Sequence, residues 1–395
     1  MLNRKSLIDW YRATRARTRQ LFDIITPDAY YDRPIALRNP IVFYEGHLPA
    51  FSVNTLVKLT LKKSGIHPYF EQIFERGIDP ENEAVVKSPT DLWPAREDVQ
   101  AYGLEADALI ERTLCEDNIE IDGGEAAGTI IEHELMHQET LLYMFHELPY
   151  SKRRASGAAP ASGAGGRGRP PLHRVNIPAG RAILGAPRGS RFGWDNEFPE
   201  LVVDVPAFEI DAYNVTNGDY LEYIEATGAK APHFWQRVND QWHRRGLFEL
   251  APLPMNAPVY VTHEEATAYA NWKGARLPSE AEWHRASGEG DEIPEGNYDF
   301  QHWDPVDVGS YAPNEYGIYD LVGNGWEWTS TPFGPFPGFE PMPSYRVYSA
   351  DFFDNAHFVL KGASPVTARE LVRKSFRNWF RPNYPYVYAS FRCAR

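Results

Sequence analysis

Residues 151–171 read SKRRASGAAPASGAGGRGRPP, and this run constrains the fold more than any other feature of the chain. It is Gly, Ala, Ser, Pro and Arg, with almost nothing to bury, so its composition is that of a linker or mobile loop. Basic residues inside such a run read as solvated charges rather than as a patch for a partner. The chain has 395 residues, more than one compact core usually holds. The run therefore divides it into a domain over 1–150, a linker over 151–171 and a second domain over 172–395.

Before the linker, apolar residues recur at helical intervals, which predicts helices over 2–22, 41–63, 96–114 and 125–148. Pro49 interrupts the second of these, so a kink there, or a start near His47, is expected. Pro149 ends the fourth. Four helices of such lengths suggest an antiparallel bundle. After the linker the pattern changes. Short runs at 182–184, 201–205 and 208–210 read as strands, and 215–226 and 263–272 as short helices. From Asn297 onward, mostly turns and loops are expected. Nine of the eleven Trp lie in this half, and the chain carries 32 Pro and 30 Gly, which argues for an α+β domain with long ordered loops.

The formal net charge of -14 argues against a nucleic-acid binder, which needs a basic surface for phosphates. The two cysteines, Cys115 and Cys393, exclude a disulfide framework and fit a reducing cytoplasm. No charged-then-apolar leader opens the sequence, and no run approaches the roughly 20 apolar residues of a membrane helix. A cytoplasmic protein with no membrane partner is expected. The sequence leaves the oligomeric state open.

The sharpest local signal is HELMHQE at 133–139. On a helix, His133 and His137 are four residues apart and share one face, where two imidazoles can grip one metal ion. The pattern is also that of zinc proteases, with Glu134 as the base. A protease needs a third ligand further along the chain, and His146 lies about two and a half turns beyond His137, on the opposite face. In a bundle, a ligand from a facing helix is more natural, and His47 in the aromatic stretch YEGHLPAF qualifies. His67 precedes Pro68 and is expected in a loop. Three imidazoles suit Fe, Zn or Cu, so spacing alone does not name the metal. Glu139 points away from the two-His face and reads as a supporting residue.

His47 with HELMHQETLLYM resembles the DinB-like bundle of the sulfoxide synthases of ergothioneine biosynthesis. The second half resembles the formylglycine-generating-enzyme fold, a variant of the C-type lectin fold. The matching stretches are FGWDNE (192–197), NVTNGDY (214–220), GARLPSEAEW (274–283), LVGNGWEWT (321–329) and FRNWFRPNYPYVYASFR (376–392). The resemblance implies Fe(II) held by His47, His133 and His137, and O2 as oxidant. It implies bonding of sulfur or selenium to the imidazole of histidine or of its trimethylated form, hercynine. It also implies that Asn378 and Trp379 contact the trimethylammonium-bearing substrate; an aromatic face suits a quaternary ammonium, which cannot hydrogen-bond. Such enzymes also use a Tyr as proton or electron donor, for which Tyr345 and Tyr348 are the candidates. Trp283, Trp326 and Trp328 read as core, Glu280 and Glu327 as buried acceptors, and Gly323 and Gly325 as turn residues.

Three departures from the family pattern bear on the sulfur or selenium donor. Only Arg96 stands in TDLWPARED, where users of γ-glutamylcysteine carry two Arg. Phe380, followed by Arg381, replaces an Asp after Asn-Trp, and Met136 replaces a Gln before the second helix histidine. The expected donor is therefore not γ-glutamylcysteine. A selenosugar, as used by selenoneine synthases, fits an aromatic pocket lined by Tyr384, Tyr386 and Tyr388, and is the leading reading. Cysteine or another thiol, giving an ergothioneine-type enzyme, is second. An ovothiol-type five-substituted histidine product is third, because Trp379 favours a trimethylated substrate. A formylglycine-generating activity needs a cysteine pair in the second half, where only Cys393 lies. A non-catalytic alternative is a metal-stabilised binding module.

Overall fold

The computed structural model describes residues 4–75, 93–154, 171–290 and 292–395. Its contacts divide the chain into two compact units, Met1–Ser156 with Met342–Tyr345, and Gly157–Pro341 with Arg346–Arg395. The short segment Met342–Tyr345 was expected with the second domain and groups with the helical unit. Ser344 explains why, since its backbone N–H and hydroxyl donate to Glu125 (2.9 and 2.7 Å).

The helical unit contains α1 (Arg4–Phe22), α2 (Ile41–Ser52), α3 (Pro68–Ile73), α4 (Arg96–Glu116) and α5 (Glu125–His146). Helix α1 buries Leu7, Tyr11, Thr14, Arg15, Thr18 and Leu21, one stripe at three- and four-residue steps. It packs on α4 and α5, and α2 packs on the same two helices. Helix α5 is buried on nearly every face. Its start follows Gly124 in the left-handed region, and the Asp122 carboxylate accepts from the backbone N–H of Gly124 and Ala126, both at 3.0 Å. Helix α2 runs through Pro49 and then widens into π turns over Val53–Thr60. Pro49 has no N–H for the Glu45 carbonyl, yet the helix neither starts nor stops there.

Polar groups tie α1, α4 and α5 together inside this unit. Arg15 donates to Asp107 on α4 (2.7 Å) and to Glu134 on α5 (2.9 Å), and all three side chains are buried. Gln138 donates to the Thr14 carbonyl and the Thr18 hydroxyl, each at 3.0 Å. Buried polar groups need such partners, so this network fixes the register of α5 against α1.

Among its described residues, the second unit carries four small sheets. β1 (Arg174–Ile177) pairs with β4 (Phe208–Asp211), and β2 (Gly180–Leu184) pairs with β3 (Leu201–Val205). β5 (Trp235–Val238), β6 (Gln241–Arg245) and β7 (Leu250–Pro252) form an antiparallel sheet. β8 (Gly325–Pro332), β9 (Phe358–Ala363), β10 (Asn378–Phe380) and β11 (Ala389–Ser390) form the largest, in the order β10-β9-β8-β11. Most of the chain beyond Asn297 is turn and loop, as expected, and the strands of this sheet are set into it. Its central strand β8 is buried at five consecutive residues, so the two-residue alternation that marks a half-exposed strand is missing.

Helices α6 (Asn217–Thr227), α7 (His263–Trp272) and α8 (Glu280–Ala286) each begin with a capping box: Thr216 with Asp219, Thr262 with Glu265, and Ser279 with Glu282. Trp283, Trp326 and Trp328 are core residues. Glu280 accepts from Arg377, and Glu327 from Arg392 and Asn214. Gly323 and Gly325 take positive φ, and a Cβ on Gly323 would strike the backbone of Asn297. Residues 155–170 of the expected linker lie outside the described residues. Its first residues belong to the helical unit, because Arg153 bridges to Ile25 and Thr26 N–H donates to the Lys152 carbonyl at 3.0 Å.

Candidate metal centre

Helix periodicity puts His133 and His137 one turn apart on α5, and their Nε2 atoms approach to 3.2 Å. His47 comes from α2, which packs on α5, and all three rings offer a nitrogen within 4.8 Å of the others. His47 and His133 are buried and His137 is half-buried. Among the described residues, this is the only cluster of three or more His, Cys, Asp or Glu side chains placed to share an ion.

The His47 Nδ1–H donates to the Phe74 carbonyl at 2.8 Å. A carbonyl only accepts, so the proton sits on Nδ1 and the Nε2 lone pair faces the cluster. Burial, then the neighbouring His47 and Arg38, hold His137 well below the ordinary imidazole range. Its ring is therefore neutral near pH 7, which is the coordinating form. Three imidazole nitrogens converging from two packed helices fit a transition-metal ion.

Aromatic rings wall the cluster. Phe51 stacks on His133 at 3.6 Å between ring centres, and Phe43 stacks on His47 at 4.9 Å. Tyr44 lies 5.7 Å from His137. Tyr345, in the segment that groups with this unit, lies 6.0 Å from His133 and 5.1 Å from Phe51. Sequence reasoning missed Phe43 and Phe51, although both sit four residues from His47 on α2, the spacing of helix-face neighbours.

Glu134 does not face the cluster. Its Oε1 accepts from Arg15 (2.9 Å) and from the Thr18 hydroxyl (2.5 Å), which turns it to α1. The protease base is thus absent from the metal face. Glu139 accepts from the Tyr143 hydroxyl. His67 lies in the loop before Pro68, as expected, and caps α3 by accepting from Phe70 N–H at 3.2 Å. His146 is buried at the end of α5, outside the cluster.

The other candidate residues fall in two places. Met136 is half-buried on α5 beside His137. Arg96 opens α4, pairs with Glu45 at 3.4 Å and covers the Tyr30 ring at 4.7 Å. In the second unit, Asn378, Trp379 and Phe380 form β10, antiparallel to β9, and Arg381 is exposed. Trp379 stacks on Phe333 at 4.2 Å and meets the edges of Tyr348 (5.2 Å) and Phe352 (5.5 Å). Tyr348 itself stacks on Trp194 at 4.0 Å. Phe380 stacks on Tyr384 at 4.9 Å, and Tyr386 meets Tyr384 edge-on at 5.1 Å.

Comparison with known proteins adds to this geometry. Residues 164–395 match the sulfatase-modifying factor enzyme 1-like domain family. The hercynine oxygenase of Mycolicibacterium smegmatis is 33% identical over 322 residues, spanning 71% of this chain and 73% of that protein. The chain belongs to the hercynine oxygenase family. Within that family, the hercynine oxygenase of Mycolicibacterium thermoresistibile is 34% identical, spanning 68% of each chain. Ergothioneine biosynthesis protein 1 of Neurospora crassa is 27% identical, spanning 96% of this chain and 56% of its own length. The chain thus spans about half the length of that fungal relative. No helix among the described residues is long and apolar enough to cross a membrane.

Proposed function

We propose that this protein is an iron(II)- and O2-dependent oxidoreductase that bonds sulfur to the imidazole ring of hercynine. The convergence of His47, His133 and His137 within 4.8 Å carries the reading, together with the hercynine oxygenase relatives. When bound, iron would supply the oxidative chemistry, which side chains alone do not provide. The helical unit would be a DinB-like bundle built to hold it. Phe43 and Phe51 keep the ligand rings in place and exclude water from their faces. Tyr345 is the candidate for moving a proton, because its ring borders His133.

Trp379 and Asn378 are proposed to hold hercynine. The wall of Trp379, Tyr348 and Phe352 presents aromatic surface to a quaternary ammonium. The donor proposed is cysteine or another thiol, in keeping with the ergothioneine names of the relatives. γ-Glutamylcysteine is disfavoured because Arg96 is already paired with Glu45. A selenosugar is the second reading; the cluster of Phe380, Tyr384 and Tyr386 favours it, since sugar rings pack on aromatic faces.

The test is O2 uptake by the iron(II)-loaded chain with hercynine, supplied in separate tubes with cysteine, γ-glutamylcysteine or a selenosugar. Uptake with cysteine supports the proposal, and uptake with the selenosugar alone replaces the donor. No uptake in any tube, with metal bound, leaves the metal-stabilised binding module.

A further inference from the structure

The three histidines do not explain why a short helix, α3, is docked against α2 beside His47. Phe74, which caps the C-terminal end of α3, supplies the carbonyl that accepts from His47 Nδ1–H. The Phe74 ring lies directly over Gly46, where an added Cβ would come within 2.5 Å of ring Cδ2 and Cζ. Gly46 therefore has no conformational reason to be glycine inside α2, but it has a steric one.

Glu71 holds the other side of α3. It is buried, and its carboxylate accepts from the backbone N–H of Ile66 (2.7 Å) and His67 (2.9 Å) and from Lys58 Nζ (3.1 Å). Asn54 Nδ2 donates to the Glu71 carbonyl at 2.9 Å. Lys58 and Asn54 both lie in the π segment that continues α2. A Cβ on Gly65 would collide with the Glu71 carboxylate. Two glycines thus leave room for α3, and one buried carboxylate ties it to the helix that bears His47.

We propose that the 65–74 turn is a positioning device for His47: Gly46 admits the Phe74 ring, Glu71 locks the turn, and the Phe74 carbonyl sets the tautomer and aim of the imidazole. This rests on the metal reading of the three-His cluster. Gly46, Glu71 and Phe74 act through His47 and touch no metal themselves. An outer-shell acceptor of this kind typically changes metal affinity by about 10–100-fold.

The experiment is a titration of the metal-free full chain with Co(II) alone, followed by visible absorption and by competition with a chelator. The parent should bind one Co(II) per chain. Gly46→Ala should weaken binding by about 10–100-fold and alter the absorption bands. Adding Phe74→Ala to Gly46→Ala removes the colliding ring but keeps the carbonyl, and should restore most of the lost affinity. Glu71→Gln should weaken binding in the same direction and settles the matter if Gly46→Ala does not fold. Parent-like affinity and spectra in Gly46→Ala and Glu71→Gln would overturn the proposal while leaving the metal centre standing. A parent that binds no Co(II) would overturn both.

Discussion

The rings of Tyr345 and His133 meet edge to face, 6.0 Å between centres and 74° between planes. Tyr348, three residues on, instead stacks on Trp194. Only Tyr345 of the two borders the histidine cluster within its own unit. Tyr345→Phe keeps the ring and removes the hydroxyl. We predict an unchanged metal affinity and a fall in turnover on the order of 10²-fold, the scale of a lost proton-transfer group. Steady-state O2 uptake checks this, and a parent-like rate would remove Tyr345 from the chemistry. Tyr348→Phe should lower the rate far less.

Glu134 separates this centre from a zinc protease. Burial pushes its carboxyl above the ordinary value, while Arg15 and Thr18 pull it down. Glu134→Gln removes a charged hydrogen-bond partner from buried Arg15, so stability should fall by roughly 1.5–3 kcal/mol. Metal stoichiometry should stay at one per chain, because the side chain faces α1. Urea unfolding and a metal titration read the two effects separately. Loss of metal with unchanged stability would show that Glu134 serves the ion.

Trp379 offers a test of substrate recognition. Trp379→Leu removes an aromatic face but leaves an apolar side chain beside Phe333. The KM for hercynine should rise roughly 3–30-fold, while that for histidine, which lacks the quaternary ammonium, should change little. An equal change for both would assign Trp379 to packing.

Asp320 gives a pH signature in the second unit. Burial pushes its carboxyl up to about 6, against the backbone N–H of Gly309 and the charge of Arg392. An unfolded Asp titrates near ~3.9, so between these values the native state holds a proton that the unfolded state has lost. The unfolded state then binds fewer protons, and stability falls as pH rises through that window. Asp320→Asn should flatten this dependence and add up to roughly 3 kcal/mol above pH 6, about two pH units at ~1.36 kcal/mol each. Unfolding curves at pH 4, 5, 6 and 7 check it. A parent curve with no slope across this range would contradict it.

The long helices of the helical half were legible in the sequence, whereas the six-residue α3 was not. α1 exposes one face, and α5 is long and ends before a proline. His133 and His137 were legible too, since one helical turn fixes their spacing. The second half was less so. β8 is buried along five residues and carries no alternation, and β9 joins it across a register shift between Trp328 and Pro332. Phe74 lay beyond sequence reasoning altogether. Its contribution to His47 is a backbone carbonyl, which every residue has, so only the docking of α3 reveals it. The grouping of Met342–Tyr345 with the helices likewise depends on long-range bonds from Ser344 to Glu125 and Thr129.

We propose that the three histidines make this chain an oxidative C–S bond-forming enzyme acting on hercynine. The most direct measurement is mass spectrometry of hercynine after incubation with the iron(II)-loaded chain, cysteine and O2. The account predicts an adduct in which hercynine has gained a sulfur substituent on its imidazole ring, absent when His47, His133 or His137 is replaced by Ala. Unaltered hercynine, with iron bound and O2 present, would contradict it.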